Sequence, residues 1–452
     1  MNELRSMLAV QVDVPAAETT GDFHYRSRAP SAFLAKRPGT YVVNLTNEHR
    51  HKASVAVLAD VLVLNMLADV DWLPLIRLRR ARGRITVYEW NDDVFHVPPS
   101  NPRHGFYSVP RNRAFVRLLA EACDAVQFSS PALLEKYGSV NERTAVFPNH
   151  VAAVPPDRRF RRGPGLVVGW GGSAGHYHDM AAVAGPLGDW LRTRPGVELR
   201  LMCSEEIRSL FDSVPESLKK RAEPGSLFDY YRFLEGVEAG IGPLLDTPFN
   251  RSRSDVKYLE YAARGIVPVM QECPVYGAVV EPGINGLLFG DARELVAHLD
   301  RLREDWRLRI RLAQGARARV MGGRLLEDRI HERATFYEEL VASGGARLPS
   351  EGSVRDRFES CCALEGARRN GRHLILSPTP FELLLRRGLY ALEGGELAFA
   401  ERCFEEAASL EPASYLPHLY LAGCPGHLAS SLAAALERNP RSLMARLLLE
   451  NV

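Results

Sequence analysis

The stretch "VVGWGGSAGH" (residues 167–176) decides how this chain is read. An apolar run breaks into Gly169, Gly171, Gly172 and Gly175 and then meets His176. One reading is a tight turn with no further role. The other is a strand ending at a ligand, where bare backbone amides face an anion and Ser173 adds a hydroxyl donor. Glycine turns after strands are common, so the surrounding sequence has to choose.

Strands alternate with helices on both sides of that stretch. Upstream, "MLAVQVDV" (7–14), "TYVVNLT" (40–46), "DVLVLNM" (60–66), "RITVYEW" (84–90), "AVQFSS" (125–130) and "TAVFPNHV" (144–151) read as strands. "GDFHYRSRAPSAFLAKRPG" (21–39) reads as a loop and then a helix ended by Pro38 and Gly39. "NRAFVRLLAEAC" (112–123) has apolar positions at helical spacing. Downstream, 166–170, 197–203, 239–244 and 266–271 read as strands. The helices between them fall at 179–195, with a break at Gly185 and Pro186, at 227–237 and at 255–265. Each series predicts a parallel sheet covered on both faces.

"PPDRRFRRGPG" (155–165) separates the two series. The predicted units are 1–155 and 156–341, the second closing with a helical tract from Asp305 to Val341. "ASGGARLPSEGS" (342–353) has linker composition, so 342–378 is assigned to a linker and connecting helix. The region 379–452 is helical. Its Gly388, Ala391, Gly394, Ala400, Phe404, Ala407 and Pro412 fall at the spacing of a tetratricopeptide repeat. A single repeat cannot bury its own face, so the tail must pack on something.

The totals narrow the class. At about 150 residues per domain, 452 residues suggest about three domains. A net charge of +2 implies no bulk polyanion, and so no nucleic-acid partner. "RLRRARGR" (77–84) reads as a solvated helix end rather than a phosphate or membrane site. Seven scattered cysteines without a CxxC pair fit a reducing compartment and no structural metal. The N-terminal segment lacks an apolar signal core, and "ASVAVLADVLVLNML" (53–67) is too short to span a bilayer. The expectation is a cytoplasmic protein whose membrane contact, at the inner face, is peripheral.

The glycine stretch gains its meaning from "PLLDTPFNRSRSDVKYLEYAARGIVPVM" (243–270). Asn250, Arg251, Arg253 and Lys257 bring an amide and cations to a helix that begins near Ser254, Asp255 and Val256. A pyrophosphate leaving group needs that combination, because charge grows on it as its bond to a sugar breaks. Arginine holds it in a fork and lysine as a point charge. Glu260 lies further along the helix, where a carboxylate can accept both hydroxyls of a ribose.

Residues 246–289 closely resemble the donor-site region of retaining, GT-B-fold glycosyltransferases of family 4. "VFPNHV" (146–151) resembles that family's end-of-domain turn and "GWGGSAGH" its first loop in the second domain. "VYEWNDDVFHVPP" (87–99) and "GDFHYRSRAP" (21–30) resemble acceptor-side loops. The resemblance covers roughly residues 5 to 340 and implies an α/β fold of two Rossmann-like domains facing a cleft, 1–155 the acceptor domain and 156–341 the donor domain. It implies a nucleotide-diphosphate sugar, UDP- or GDP-linked, as substrate, with no cofactor and no metal. Glu260 matches the second glutamate of the family's E-x7-E motif; the first falls on Ser252. Where the family carries an Arg and Lys pair after the glycines, this chain has His176 and His178.

The implied donor site is Gly171, Gly172, Ser173, His176, Asn250, Arg253, Ser254, Asp255, Val256, Lys257 and Glu260. Asp92 and Asp93 stand near the family's sugar-facing histidine and are expected, with Lys257 and Arg253, to be catalytic. His24, Tyr25, Arg26 and His96 are expected on the acceptor side. Trp90 and Trp170 read as core rather than sugar platforms. The implied reaction is retaining sugar transfer to a hydroxyl, on a protein docked to the helical tail, or on a polysaccharide or lipid-linked glycan. The alternative is a non-catalytic body of the same fold, serving as binding subunit or chaperone.

Overall fold

Leu8, Val10 and Val12 of strand β1 (Met7–Asp13) enter one apolar layer while Met7 and Ala9 enter another. A strand buried on both faces reads as a continuous apolar run, which is how this one reads. The computed structural model describes residues 6–14, 21–344 and 348–450. In the first sheet β1 is followed by β2 (Thr40–Thr46), β3 (Val61–Asn65), β4 (Ile85–Trp90), β5 (Ala125–Phe128) and β6 (Thr144–Val146). All pair in parallel, in the order β2-β1-β3-β4-β5-β6.

The second sheet contains β7 (Leu166–Gly171), β8 (Val197–Met202), β9 (Lys219–Ala222), β10 (Ala239–Gly242), β11 (Val267–Gln271) and β12 (Leu287–Phe289). Its order is β12-β11-β10-β7-β8-β9, again all parallel. Helices 177–193 and 292–304 cover one face, and helix Val256–Ala263 the other. Gly240 sits under the Tyr261 ring, where a Cβ would stand 2.5 Å from ring carbon; only glycine lets that helix approach so closely.

Several local expectations change. The loop predicted at the start of 21–39 is helical from residue 21, with a π-helix Phe23–Arg28 running into helix Ala29–Leu34. The break predicted at Gly185 and Pro186 is absent, because helix Tyr177–Thr193 runs through Pro186. The tract from Asp305 to Val341 is two helices, Trp306–Met321 and Leu326–Ser343. The second was assigned to the donor domain, yet its Ile330, Ala334, Tyr337 and Leu340 pack against Ala9, Val42 and Val61 of the first sheet.

Residues 342–378 hold more than a linker and connecting helix. Helix Glu351–Cys362 buries Val354, Phe358 and Cys361 in the first domain's core. A hairpin, β13 (Ala367–Asn370) and β14 (His373–Leu376), then extends the first sheet, with β14 parallel to β2. The chain thus crosses to the second domain and returns.

Among the described residues the region beyond is five helices, Pro380–Glu393, Leu397–Leu410, Leu416–Leu421, Leu428–Arg438 and Leu443–Leu449. Gly388 of the first lies against the Phe404 ring of the second. Asp71 of the first domain accepts hydrogen bonds from Tyr415 Oη (3.1 Å), Ser442 Oγ (2.8 Å) and Met444 N (3.0 Å), which fixes these helices to it. All seven cysteines are free.

Candidate functional site

The C-terminal ends of the two sheets meet. Tyr25 follows β1, Ser130 follows β5 and Asn149 follows β6. They hydrogen-bond to Glu260 (3.1 Å), the Ser252 carbonyl (2.9 Å) and Ser254 Oγ (2.9 Å) of the second domain. Most candidate residues line this junction.

The glycines of β7 are there because rings crowd them. A Cβ on Gly171 would stand 2.7 Å from the Tyr230 ring, and one on Gly172 2.7 Å from the Trp170 ring. The amide of Gly172 is not bare: it donates to Met202 O at 3.0 Å. Ser173 is exposed and precedes the helical turn Ala174–His176. The first-turn amides of such a helix have no partner within it.

Lys257 reaches into the loop. Its Nζ donates to Gly171 O (2.5 Å) and stands 5.3 Å from the centroid of the buried Trp170 ring. Burial pulls its pKa down to about 8. An ammonium has three donors, and Gly171 takes one. Arg253 lies over Phe249 at 4.9 Å and donates from Nη1 to His176 Nε2 at 2.7 Å. His176 Nδ1 meets Asp179 Oδ2 at 2.8 Å. Burial, then Arg253, holds the His176 pKa down to about 4, so the ring is neutral near pH 7.

Glu260 is buried on the cleft-facing helix, three residues from Lys257. Burial raises its pKa against the pull of Lys257 and Arg264. Its Oε1 accepts from Tyr25 Oη, which also lies 3.2 Å from Tyr231 Oη. The Arg264 guanidinium sits 3.4 Å from the centroid of Tyr231.

Four candidates on the donor segment are scaffold. Asn250 Nδ2 donates to Asp179 Oδ1 (3.0 Å) and Leu245 O (2.9 Å). Asp255 is engaged by both terminal nitrogens of Arg324, at 2.6 and 2.9 Å. Ser254 accepts from Asn149, and Val256 opens the helix. Arg251 is exposed and pairs with Asp246.

On the opposite side, Asp92 and Asp93 separate in character. Burial raises Asp92 to about 6. Burial also pushes Asp93 up, but bonds from Tyr137, Lys136 and His96 outweigh it and hold Asp93 below its ordinary value. Tyr137 Oη lies at 2.5 Å, Lys136 Nζ at 2.9 Å and His96 Nδ1 at 3.0 Å from the Asp93 carboxylate. A carboxylate so occupied is a poor base, so Asp93 is corrected from catalytic to structural. Lys136 also donates to Ser252 Oγ (2.7 Å) and Pro248 O (2.6 Å), tying the two domains together.

Arg26 is likewise corrected. It is 1% exposed, and its donors go to Glu89 (2.6 Å), Phe147 O (2.7 Å) and Asn149 (2.8 Å), away from any acceptor. Tyr25 points to the donor side, onto Glu260. His24 is half-buried, its pKa lowered to about 4 by burial, and His96 leans on Asp93 from the surface. Trp90 and Trp170 are both core.

Sequence reasoning missed Asp179, Lys136, Tyr231 and Arg264. Asp179 had a signal, three residues beyond His176 on a helix that begins there. Lys136 had none, since its partners lie 43 and 116 positions away.

Among the described residues no helix is long and apolar enough to cross a membrane. No curated protein matches the chain. The fold is similar to that of Anabaena HepE, solved with UDP and glucose (TM-score 0.53, 15% identity, 73% of this chain and 99% of that one). It is also similar to sucrose-phosphate synthase from Thermosynechococcus elongatus (TM-score 0.51, 16% identity, 75% and 100%). A glycosyltransferase from Rickettsia africae matches at TM-score 0.52, 12% identity, over 75% and 99%. Residues 188–334 match the family described as glycosyl transferase-like, and the two facing sheets are the GT-B fold of the glycosyltransferases.

Proposed function

We propose that the chain is a glycosyltransferase of the family-4 kind, moving a sugar with retention from a nucleotide-diphosphate sugar to an acceptor hydroxyl. The observation that carries this reading is Glu260, a buried carboxylate three residues from Lys257, at the rim where Arg253 also stands. Glu260 accepts the ribose hydroxyls. Lys257 and Arg253 take the charge that grows on the diphosphate as the glycosidic bond breaks. Those cations supply what a metal supplies elsewhere, so the transfer is metal-independent. Asp92, with its pKa raised to about 6, orients the acceptor hydroxyl, and the departing phosphate takes its proton.

The nearby solved structure of HepE with UDP and glucose supports uridine as the first base to try. The acceptor is a protein held by the repeat-like helices, which are fixed to the acceptor domain through Asp71. The protein is cytoplasmic, with peripheral contact at the inner membrane.

Ser252 favours a second reading. It occupies the place of the family's first glutamate and is bonded to Lys136 instead. A non-catalytic body of this fold would tolerate that loss. Hydrolysis of a sugar nucleotide by the purified chain separates the two.

Thermal unfolding with UDP-glucose and with GDP-mannose tests the donor site. A bound nucleotide raises the melting temperature by mass action. Glu260→Ala and Lys257→Ala should each abolish the rise. If both variants keep it, the donor-site assignment is wrong.

A further inference from the structure

We propose that Asp179, acting through His176, is the positioning residue for Arg253, and that the three side chains form one relay aimed at a diphosphate. This rests on the function proposed above. The proton count fixes the relay's direction. A guanidinium only donates, so His176 Nε2, at 2.7 Å from Arg253 Nη1, must accept. The ring proton therefore sits on Nδ1 and is donated to Asp179 Oδ2 at 2.8 Å. A carboxylate only accepts, so both ends of the ring demand the same tautomer.

The other oxygen of Asp179 holds the segment that carries the arginine. Oδ1 accepts from Leu245 N (2.9 Å) and Asn250 Nδ2 (3.0 Å). One carboxylate therefore fixes the loop and, through the imidazole, the guanidinium at its end. Asp179 lies in the first turn of its helix, where the macrodipole favours a negative side chain. The low pKa of His176, about 4, agrees with a ring that must stay neutral to accept.

A separate observation leaves the relay's arginine with a donor to spare. Arg253 Nε is buried and, among the described residues, has no hydrogen-bond partner. A buried donor without an acceptor is costly. An oxygen of a diphosphate would supply the acceptor while Nη1 stays on His176. With Arg253 held by His176 and Phe249, less side-chain freedom is lost when the anion arrives.

The test uses the full-length chain and two readouts. Asp179→Asn is isosteric but donates to His176 Nδ1, which drives the ring proton to Nε2 and sets two donors face to face. Nitrogen-15 spectra of labelled histidine should show the Nδ1–H tautomer in the wild type and the Nε2–H tautomer in D179N. By calorimetry, UDP affinity should fall about ten- to a hundredfold in D179N, the worth of a charge-assisted hydrogen bond. UMP affinity, which lacks the second phosphate, should hardly move. Arg253→Met should lose UDP to the same degree, and the double variant should be no worse than either single one.

His176→Gln is the rescue, because its amide oxygen can accept from Arg253 while its NH2 donates to Asp179; His176→Phe should not rescue. H176Q also decides the matter if D179N does not fold. Tight UDP binding with an unchanged tautomer or an unchanged UDP-to-UMP ratio in D179N overturns the relay and leaves the function standing. A wild-type chain that binds neither UDP nor GDP overturns the function and the relay's role in it.

Discussion

Glu260→Gln should make the protein more stable and a poorer nucleotide binder at the same time. The glutamate is buried at 6% exposure, and burial raises its pKa against the pull of Lys257 and Arg264. A group whose folded pKa is raised contributes stability below its unfolded pKa and loses it as pH rises through the folded value. At pH 7.5, above the ordinary carboxyl range, the buried carboxyl is therefore a net cost. Glutamine keeps the shape and can still accept the Tyr25 hydroxyl seen at 3.1 Å. Replacing a functional group that costs stability commonly returns about 0.5–2 kcal/mol. The binding effect has the opposite sign. Exchanging a charged acceptor for a neutral one, and one acceptor oxygen for a donor, should cost about 1.5–3 kcal/mol of ribose binding, or roughly ten- to a hundredfold in affinity. Urea unfolding without nucleotide and calorimetry with UDP measure the two halves separately. A variant that is less stable yet binds UDP as tightly as the wild type would refute both the burial argument and the ribose assignment.

Lys136→Met should cut the inter-domain tie. It takes the ammonium away from the fully buried Asp93 carboxylate, which keeps Tyr137, His96, Ser252 Oγ and the Phe95 amide, at a cost of about 3 kcal/mol, and should raise the radius of gyration in solution scattering. Unchanged stability and size would remove Lys136 from that role. Glu48, buried and pushed up to about 7 from 4.5, should destabilise progressively as pH rises from 4.5 to 7. Glu48→Gln should therefore match the wild type near pH 4.5 and exceed it by up to about 3 kcal/mol above pH 7, read from urea midpoints across that range. Chain ending at 378 should stay soluble, because the first sheet is complete there. Chain ending at 345 loses β14 and the helix bearing Val354 and Phe358, and should aggregate on size-exclusion chromatography.

The elements written in local pattern were legible in the sequence. The runs that became β1 to β5, β7, β8, β10 and β11 are apolar and bounded by turn residues, so their positions could be read directly. The strand β9, "KKRA", was not visible, because it is a polar edge held only by its pairing with β8. Nor was the hairpin β13–β14. It follows a stretch of linker composition, and its place beside β2 depends on a contact across more than 300 positions. At the site, His176 and Arg253 could each be named from motif and resemblance, but not their contact across 77 positions. Roles set by long-range burial could not. Arg26 and Asp93 have the side chains of a binding site, yet Glu89 in one case and Lys136 and Tyr137 in the other engage them before any substrate could.

The return of the chain to β2 also sets an order of events during synthesis. Strand β2 has β1 on one side from the outset, but its other partner is made about 330 residues later. At the usual pace of translation that interval is on the order of half a minute. Throughout it, the nascent first domain presents an open strand edge and lacks the helix that caps one face of its core, while the second domain can already close. A folding helper that shields sheet edges should therefore meet this protein on the ribosome, at its beginning rather than its end.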